Sequence, residues 1–209
     1  MSKLKELTWE HHKNAERHKF AKLLMSGKMP KELYATYLYN QHPCYDVLEV
    51  IGMVHGLMNQ DLRRAPAIWE DFRELWTENT DDPNFKKPFV APVVKEFIDH
   101  IKSIKDDKQK IMAHIYVRHM ADLSGGQMIR KRIPGSGKLY DFPKPIEEMK
   151  ADIRKNLNDD MKDEAIIAFE FATKLFKELS TQIYDEDNRD TANDPFKGCL
   201  LYTSDAADE

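Results

Sequence analysis

Chemistry is densest in the stretch Arg118-His119-Met120-Ala121-Asp122-Leu123-Ser124-Gly125-Gly126-Gln127-Met128, where two adjacent glycines interrupt what otherwise reads as a long helix. Each glycine costs about 1 kcal/mol against alanine in a helix interior. The pair calls for a compensating contact, because bare backbone can bend and lie directly against a flat ligand or another helix. Asp122 places an acid one turn earlier. A second concentration lies in Lys5-Glu6-Leu7-Thr8-Trp9-Glu10-His11-His12-Lys13-Asn14-Ala15-Glu16. A neutral imidazole nitrogen is a common iron ligand, and this segment offers two. On a helix His11 shares a face with Leu4, Leu7 and Ala15, whereas His12 lies with Thr8, Glu16 and Leu23, so periodicity leaves both histidines open. A third concentration is Lys150 and Arg154. One turn apart, they either bind an anion through charge-assisted hydrogen bonds or form an ordinary solvated face.

Asp122-Leu123-Ser124-Gly125-Gly126-Gln127 resembles the distal-helix signature of the haem oxygenases, and the segment from Lys5 to Glu16 resembles the proximal helix of that family. The resemblance runs from about Lys3 to Leu179. Aligning Lys5-Glu6, Thr8, Ala15-Glu16 and Phe20 with the family pattern implies that His12 is the axial ligand to haem iron and that Glu16 holds the imidazole through its other nitrogen. It further implies that Asp122 holds ordered water and supplies protons to iron-bound dioxygen without touching the iron. Gly125 and Gly126 would lie over the haem face and let the distal helix bend, with Tyr116 and Arg118 supporting the distal network. Lys150, Arg154 and Lys5 would bind the haem propionates, and Phe169 would wall the pocket. Phe176 and His114 also match. The chain departs from the family pattern at Ala121, where glycine is usual and where a methyl group would press on haem or bound oxygen. His119 and Met120 replace residues more often Tyr and Leu, and Ile153 replaces the usual tyrosine beside Arg154.

What the resemblance implies is a single-domain enzyme that takes haem as substrate and prosthetic group. Dioxygen and external electrons would open the ring at the α-meso carbon, giving biliverdin IXα, carbon monoxide and ferrous iron. The chain has no flavin or nicotinamide fingerprint and too few cysteines for an iron–sulfur cluster. Electrons are therefore expected from reduced ferredoxin or another soluble reductase. Two alternatives stand beside this reading. A haem-binding or haem-delivery protein without turnover would keep His12, Lys150 and Arg154, and Ala121 favours it. A non-haem iron oxidase of similar architecture would need converging Glu, Asp and His ligands, and the Glu-x-x-His doublet of such sites is absent.

These residues need a scaffold, and 209 residues with 41% hydrophobic content suit one compact domain. A formal charge of −4, with charges of both signs interspersed, gives no basic stripe for nucleic acid. No apolar run reaches the roughly 18 to 20 residues that span a bilayer, so a cytoplasmic protein without a membrane anchor is expected. Apolar residues recur with helical spacing and no alternating strand pattern is evident, which predicts an all-α bundle holding haem between a proximal helix and a Gly-kinked distal helix. Expected helices cover about 3–25, 31–58 behind Pro30, a shorter segment after Pro66 with Trp69, Phe72, Leu75 and Trp76 on one face, 92–104, 108–133, 146–157 and 163–184. Residues 77–83 read as a loop, and Pro134-Gly135-Ser136-Gly137 stops the distal helix. The expected domain covers 1–184, followed by a polar tail over 185–198. Residues 199–209 resemble a translated sequencing adaptor, which leaves Cys44 as the only native thiol and fits a reducing compartment.

Overall fold

The computed structural model describes residues 2–76, 80–82 and 86–186, and among these every regular element is a helix. Ten α-helices follow in order: α1 (Leu4–Leu7), α2 (Trp9–Arg17), α3 (Lys19–Ser26), α4 (Lys31–Val54), α5 (Ala65–Leu75), α6 (Pro92–Ser103), α7 (Lys108–Ser124), α8 (Gly126–Ile129), α9 (Ile146–Arg154) and α10 (Lys162–Glu186). None is long and apolar enough to cross a membrane. Residues 77–79 and 83–85 of the expected loop region, and the tail beyond Glu186, lie outside the described residues.

The first expected helix is three helices. At Thr8 the hydroxyl donates to the Leu4 carbonyl (2.8 Å), and the backbone leaves helical geometry between α1 and α2. At His18 it turns fully extended (φ −61°, ψ 142°), and Nδ1 of that side chain accepts the Phe20 N–H (3.2 Å) as the N-cap of α3. A histidine cap carries none of the usual Ser, Asp or Asn signal. The second expected helix ends earlier, at Val54, where Gly56 takes the left-handed conformation (φ 69°). The distal helix also ends earlier, at Ser124, and only the short α8 continues to Ile129.

The long α4 occupies the middle of the bundle, packing against α5, α6 and α7, while α10 lies across α2, α3, α6 and α7. The pattern on the outer helices explains their packing. Ala65, Ile68, Phe72 and Leu75 on α5, and Val93, Val94, Phe97 and Ile101 on α6, form single buried stripes. Being flanked on several sides, α4 is buried along much of its length. It runs straight through Pro43, whose missing N–H leaves the Tyr39 carbonyl without its intrahelical donor.

A polar clamp joins three of these helices. Glu164, in the first turn of α10, accepts hydrogen bonds on one oxygen from Nε2 of His100 on α6 (2.5 Å) and Nε2 of His114 on α7 (2.8 Å). Burial works against the Glu164 charge, but the two histidine donors outweigh it and hold the carboxyl at about 2. His114 is pushed down, mainly by its own burial. The three ligand-type atoms lie within 4.8 Å of one another, a convergence of His and Glu that helix-local spacing did not reveal. Hydrogen bonding accounts for it: the shared oxygen satisfies both ring N–H groups, and Nδ1 of His114 is buried without the outer partner that a metal-ligating imidazole normally has.

Because the folded Glu164 carboxyl titrates below its ordinary value of 4.5, its stabilisation is complete above about pH 4.5 and is lost as pH falls toward 2. Glu164→Gln should lower the unfolding free energy at pH 7 by about 3 kcal/mol and flatten the acid limb of stability. Urea unfolding across pH 2 to 7 measures both, and a variant with wild-type stability throughout would remove the clamp from the account.

Candidate functional site

On α2 the His12 ring is fixed by two aromatic neighbours. It stacks on Trp9 (centroids 5.6 Å apart, 11° between planes) and meets Phe169 of α10 edge-on (5.8 Å, 82°). Its Nδ1 is buried and faces Glu16 Oε2 at 3.5 Å, longer than a hydrogen bond of full strength, while the side chain as a whole is 39% exposed. A proton on Nδ1 directed at Glu16 leaves Nε2 with the free lone pair that a metal requires. The neighbouring His11 instead lines a cavity of about 540 Å³ between α2 and α10, together with Asn14, Thr173 and Lys177. The structure thus separates the two histidines that helical periodicity left equivalent, and pairs His12 with Glu16.

Asp122 on α7 is buried, with 7% of its surface exposed, and Oδ2 accepts the Tyr45 hydroxyl at 2.7 Å. Burial raises its carboxyl to about 6, against the opposing pull of His119, the Tyr45 hydroxyl, Arg64 and Arg118. Tyr45 itself is pushed far up by burial and remains a donor. Arg118, four residues before Asp122 and on the same helical face, donates to Gln41 Oε1 (2.6 Å) and lies over the rings of Phe97 and Tyr45. His119 is fully buried between the Ile115 carbonyl and Glu49. Gln41, Tyr45 and Glu49 recur every four residues along α4, and that polar stripe inside an apolar helix was the available signal for them. Their partners lie 70 or more residues away, so only the fold reveals the pairing.

The two glycines have different surroundings. A Cβ on Gly126 would stand 2.5 Å from Cδ1 of Tyr140, so a protein side chain, and not an open haem face, demands glycine there. Tyr140 is held in place by its segment: Asp71 of α5 accepts the N–H groups of Lys138 and Leu139 (both 2.8 Å), and Gln127 donates to the Tyr140 carbonyl (3.0 Å). A Cβ on Gly125 would meet only the Ala121 carbonyl, at 3.7 Å. Ala121 and Ser124 are exposed and Gly125 is partly so, forming a stripe of small residues at the end of α7 that the packing leaves open, with the exposed Met128 beyond it on α8.

Tyr116 differs from its expected place in the distal network. It lies six residues before Asp122, about 240° around the helix, and burial raises its hydroxyl, against the pull of Thr8 and Arg154 on that side. It therefore faces the side of Thr8 and Arg154, away from Asp122. Lys150 and Arg154 both reach Glu147 (2.9 and 3.6 Å), a weak exposed pairing that another anion can replace. Lys5 stands over the Trp9 ring at 6.0 Å, beside the aromatic residue that supports His12. Phe176 stacks on Phe20 and belongs to the core. The donor set fits haem: an imidazole lone pair for iron, aromatic walls and an open stripe of small residues for the ring, and cations with a phenol for its carboxylates.

The sequence profile of the Heme oxygenase family matches residues 1–178. Heme oxygenase of the red alga Rhodella violacea is 25% identical over 205 residues, spanning 85% of this chain and 86% of its own. Mouse Heme oxygenase 2 is 25% identical over 213 residues, and the match spans 84% of this chain but only 64% of the mouse protein. Among solved structures, Synechocystis heme oxygenase-1 in complex with heme superposes with a TM-score of 0.78 at 22% identity, covering 91% of this chain and 96% of that one. The Leptospira interrogans enzyme gives 0.71 at 26% identity, covering 84% and 97%. The backbone is thus the all-helical fold of the solved heme oxygenases. Given a profile match over most of its length, the chain belongs to the haem oxygenase family.

Two substitutions test this geometry. Gly126→Ala should destabilise the protein by about 1 to 3 kcal/mol through overpacking against Tyr140, with Gly125→Ala the milder change; thermal unfolding that ranks them the other way would contradict the packing. The folded Asp122 carboxyl titrates above its ordinary value of 3.8, so its contribution is complete below about pH 3.8 and is lost as pH rises through about 6. Asp122→Asn should therefore match the haem-free wild type near pH 4 and exceed it by up to about 3 kcal/mol at pH 8. Equal stabilities at both pH values would mean that the carboxyl is not desolvated.

Proposed function

We propose that this protein binds haem through His12 and opens the macrocycle at the α-meso carbon, yielding biliverdin IXα, carbon monoxide and ferrous iron from dioxygen and external electrons. Reduced ferredoxin is the first candidate donor. Bound haem supplies both the iron and the ring that is oxidised. His12 holds the iron, with Glu16 orienting the imidazole and Trp9 and Phe169 fixing its plane. Lys150 and Arg154 would hold the haem propionates, and the ring orientation they set would determine which meso carbon is attacked.

The observation that carries this reading is the buried Asp122 carboxyl, held by Tyr45 and raised to about 6. A carboxyl in that range exists in both forms near neutrality, which is what a proton donor and acceptor needs. Tyr45 engages Oδ2, and Oδ1 is assigned to hold water and pass on the proton. A second reading, haem binding or delivery without turnover, is favoured by the methyl group of Ala121 on the exposed stripe.

The haem complex, supplied with oxygen and reduced ferredoxin, should lose its Soret band and release biliverdin IXα. A histidine-ligated complex that stays intact would overturn the oxygenase and leave the second reading. His12→Ala should abolish turnover and change the haem spectrum. Asp122→Ala should bind haem with wild-type affinity but lower biliverdin formation by about 10² to 10⁴-fold, and a wild-type yield would remove it from the chemistry. Arg154→Ala should weaken binding or scramble the isomers, as product chromatography would show.

A further inference from the structure

We propose that His119 is a buried imidazolium, protonated at both ring nitrogens and paired with Glu49, and that it acts on Asp122 through its charge as a positioning residue of the distal carboxyl. Both ring nitrogens face atoms that only accept. Nδ1 lies 3.2 Å from the Ile115 carbonyl and Nε2 lies 3.1 Å from Glu49 Oε1, and neither His119 nor Glu49 has any exposed side-chain surface. A neutral imidazole carries one N–H, so one of these contacts would set a lone pair against a lone pair. Glu49 is not the source of the missing proton. Its Oε1 already accepts the Arg64 N–H (2.6 Å) and its Oε2 the Ala65 N–H (3.1 Å), the pattern of a carboxylate.

The nearby guanidinium groups share Glu49 but leave its Oε1 contact to His119 in place. Arg64 directs its Nη atoms to the carbonyls of Asp61, Leu139 and Asp141, and Arg63 stands 3.8 Å from Glu49 while also reaching Asp46. The groups around His119 are thus Tyr45 and Glu49 from α4, Arg63 and Arg64 from the segment before α5, and Arg118 and Asp122 on α7 itself, with Tyr140 beyond Asp122. The Tyr45 ring lies 5.4 Å from the imidazole and bridges to Asp122 through its hydroxyl. His119 and Asp122 are three residues apart on one helix, which brings the cation beside the carboxyl. An imidazolium at this position favours the ionised form of Asp122 and opposes the burial that favours the neutral one. A neutral side chain here would leave burial unopposed.

For its consequence in turnover the inference rests on Asp122 as the distal carboxyl, but its test needs neither haem nor activity. Haem-free protein labelled with ¹⁵N-histidine, and with ¹³C in its aspartate carboxyls, is followed by NMR between pH 4 and 9. His119 should show two protonated ring nitrogens at pH 8, and Glu49→Gln should remove one of those protons at that pH. The Asp122 midpoint should rise by about one unit or more in both His119→Gln and His119→Tyr. A single protonated nitrogen in the wild type at pH 8 would overturn the imidazolium, and an unmoved Asp122 midpoint in either folded variant would overturn its action on the carboxyl. The wild-type spectrum decides the protonation without any variant. Wild-type protein that fails to open haem would refute the proposed function and leave this result standing.

Discussion

A carboxyl almost withdrawn from bulk water organises this molecule. Asp122 is enclosed by α4, α7 and the segment carrying Tyr140, and a buried acid must be neutralised, hydrogen-bonded or protonated. Here it has one short hydrogen bond, from Tyr45, and the Arg64 and Arg118 guanidinium groups nearby. Those neighbours are themselves fixed: Arg118 by Gln41, His119 by Glu49, and Arg64 by three backbone carbonyls. Glu49 also receives the N–H groups at the start of α5, so one carboxylate of α4 both supports the distal histidine and seats the next helix. Register between α4 and α7 is set by this polar seam as much as by the apolar core.

Two acids in one chain show how environment divides their properties. Glu164 and Asp122 are both buried against α7, yet Glu164 is held at about 2 and Asp122 is raised to about 6. Glu164 receives two strong histidine hydrogen bonds on one oxygen and stays charged, which suits a structural clamp. Asp122 receives one phenolic hydroxyl, and desolvation prevails. The same helix therefore carries a fixed attachment near its middle and a titratable group near its end.

Local pattern made much of this legible. His12 and Glu16 are one turn apart, Arg118 and Asp122 likewise, and the all-helical class follows from apolar periodicity. Reading failed where the signal was non-local. Glu49, Tyr45 and Gln41 share one face of α4, but their significance depends on α7, seventy or more residues on. Glu164 with His100 and His114 is the same case. The family resemblance groups Tyr116 with Asp122, although six residues along a helix point elsewhere. The breaks at Thr8 and His18 carry no glycine or proline, so nothing local announced them. Gly126 was identified as unusual for a sound reason, and the partner that explains it is a tyrosine fourteen residues later.

That tyrosine fixes one of the two helices that carry the candidate site. The ring of Tyr140 occupies the volume that a side chain at 126 would need, and Asp71 ties its segment to α5, which keys the end of the distal helix into the body of the bundle. Shifting this helix end would shear an aromatic ring out of its seat. The other helix, α2, is a nine-residue rod bounded by non-helical joints at Thr8 and His18. The backbone therefore carries the acid on a helix end keyed into the body of the bundle and the histidine on a short helix set between two joints.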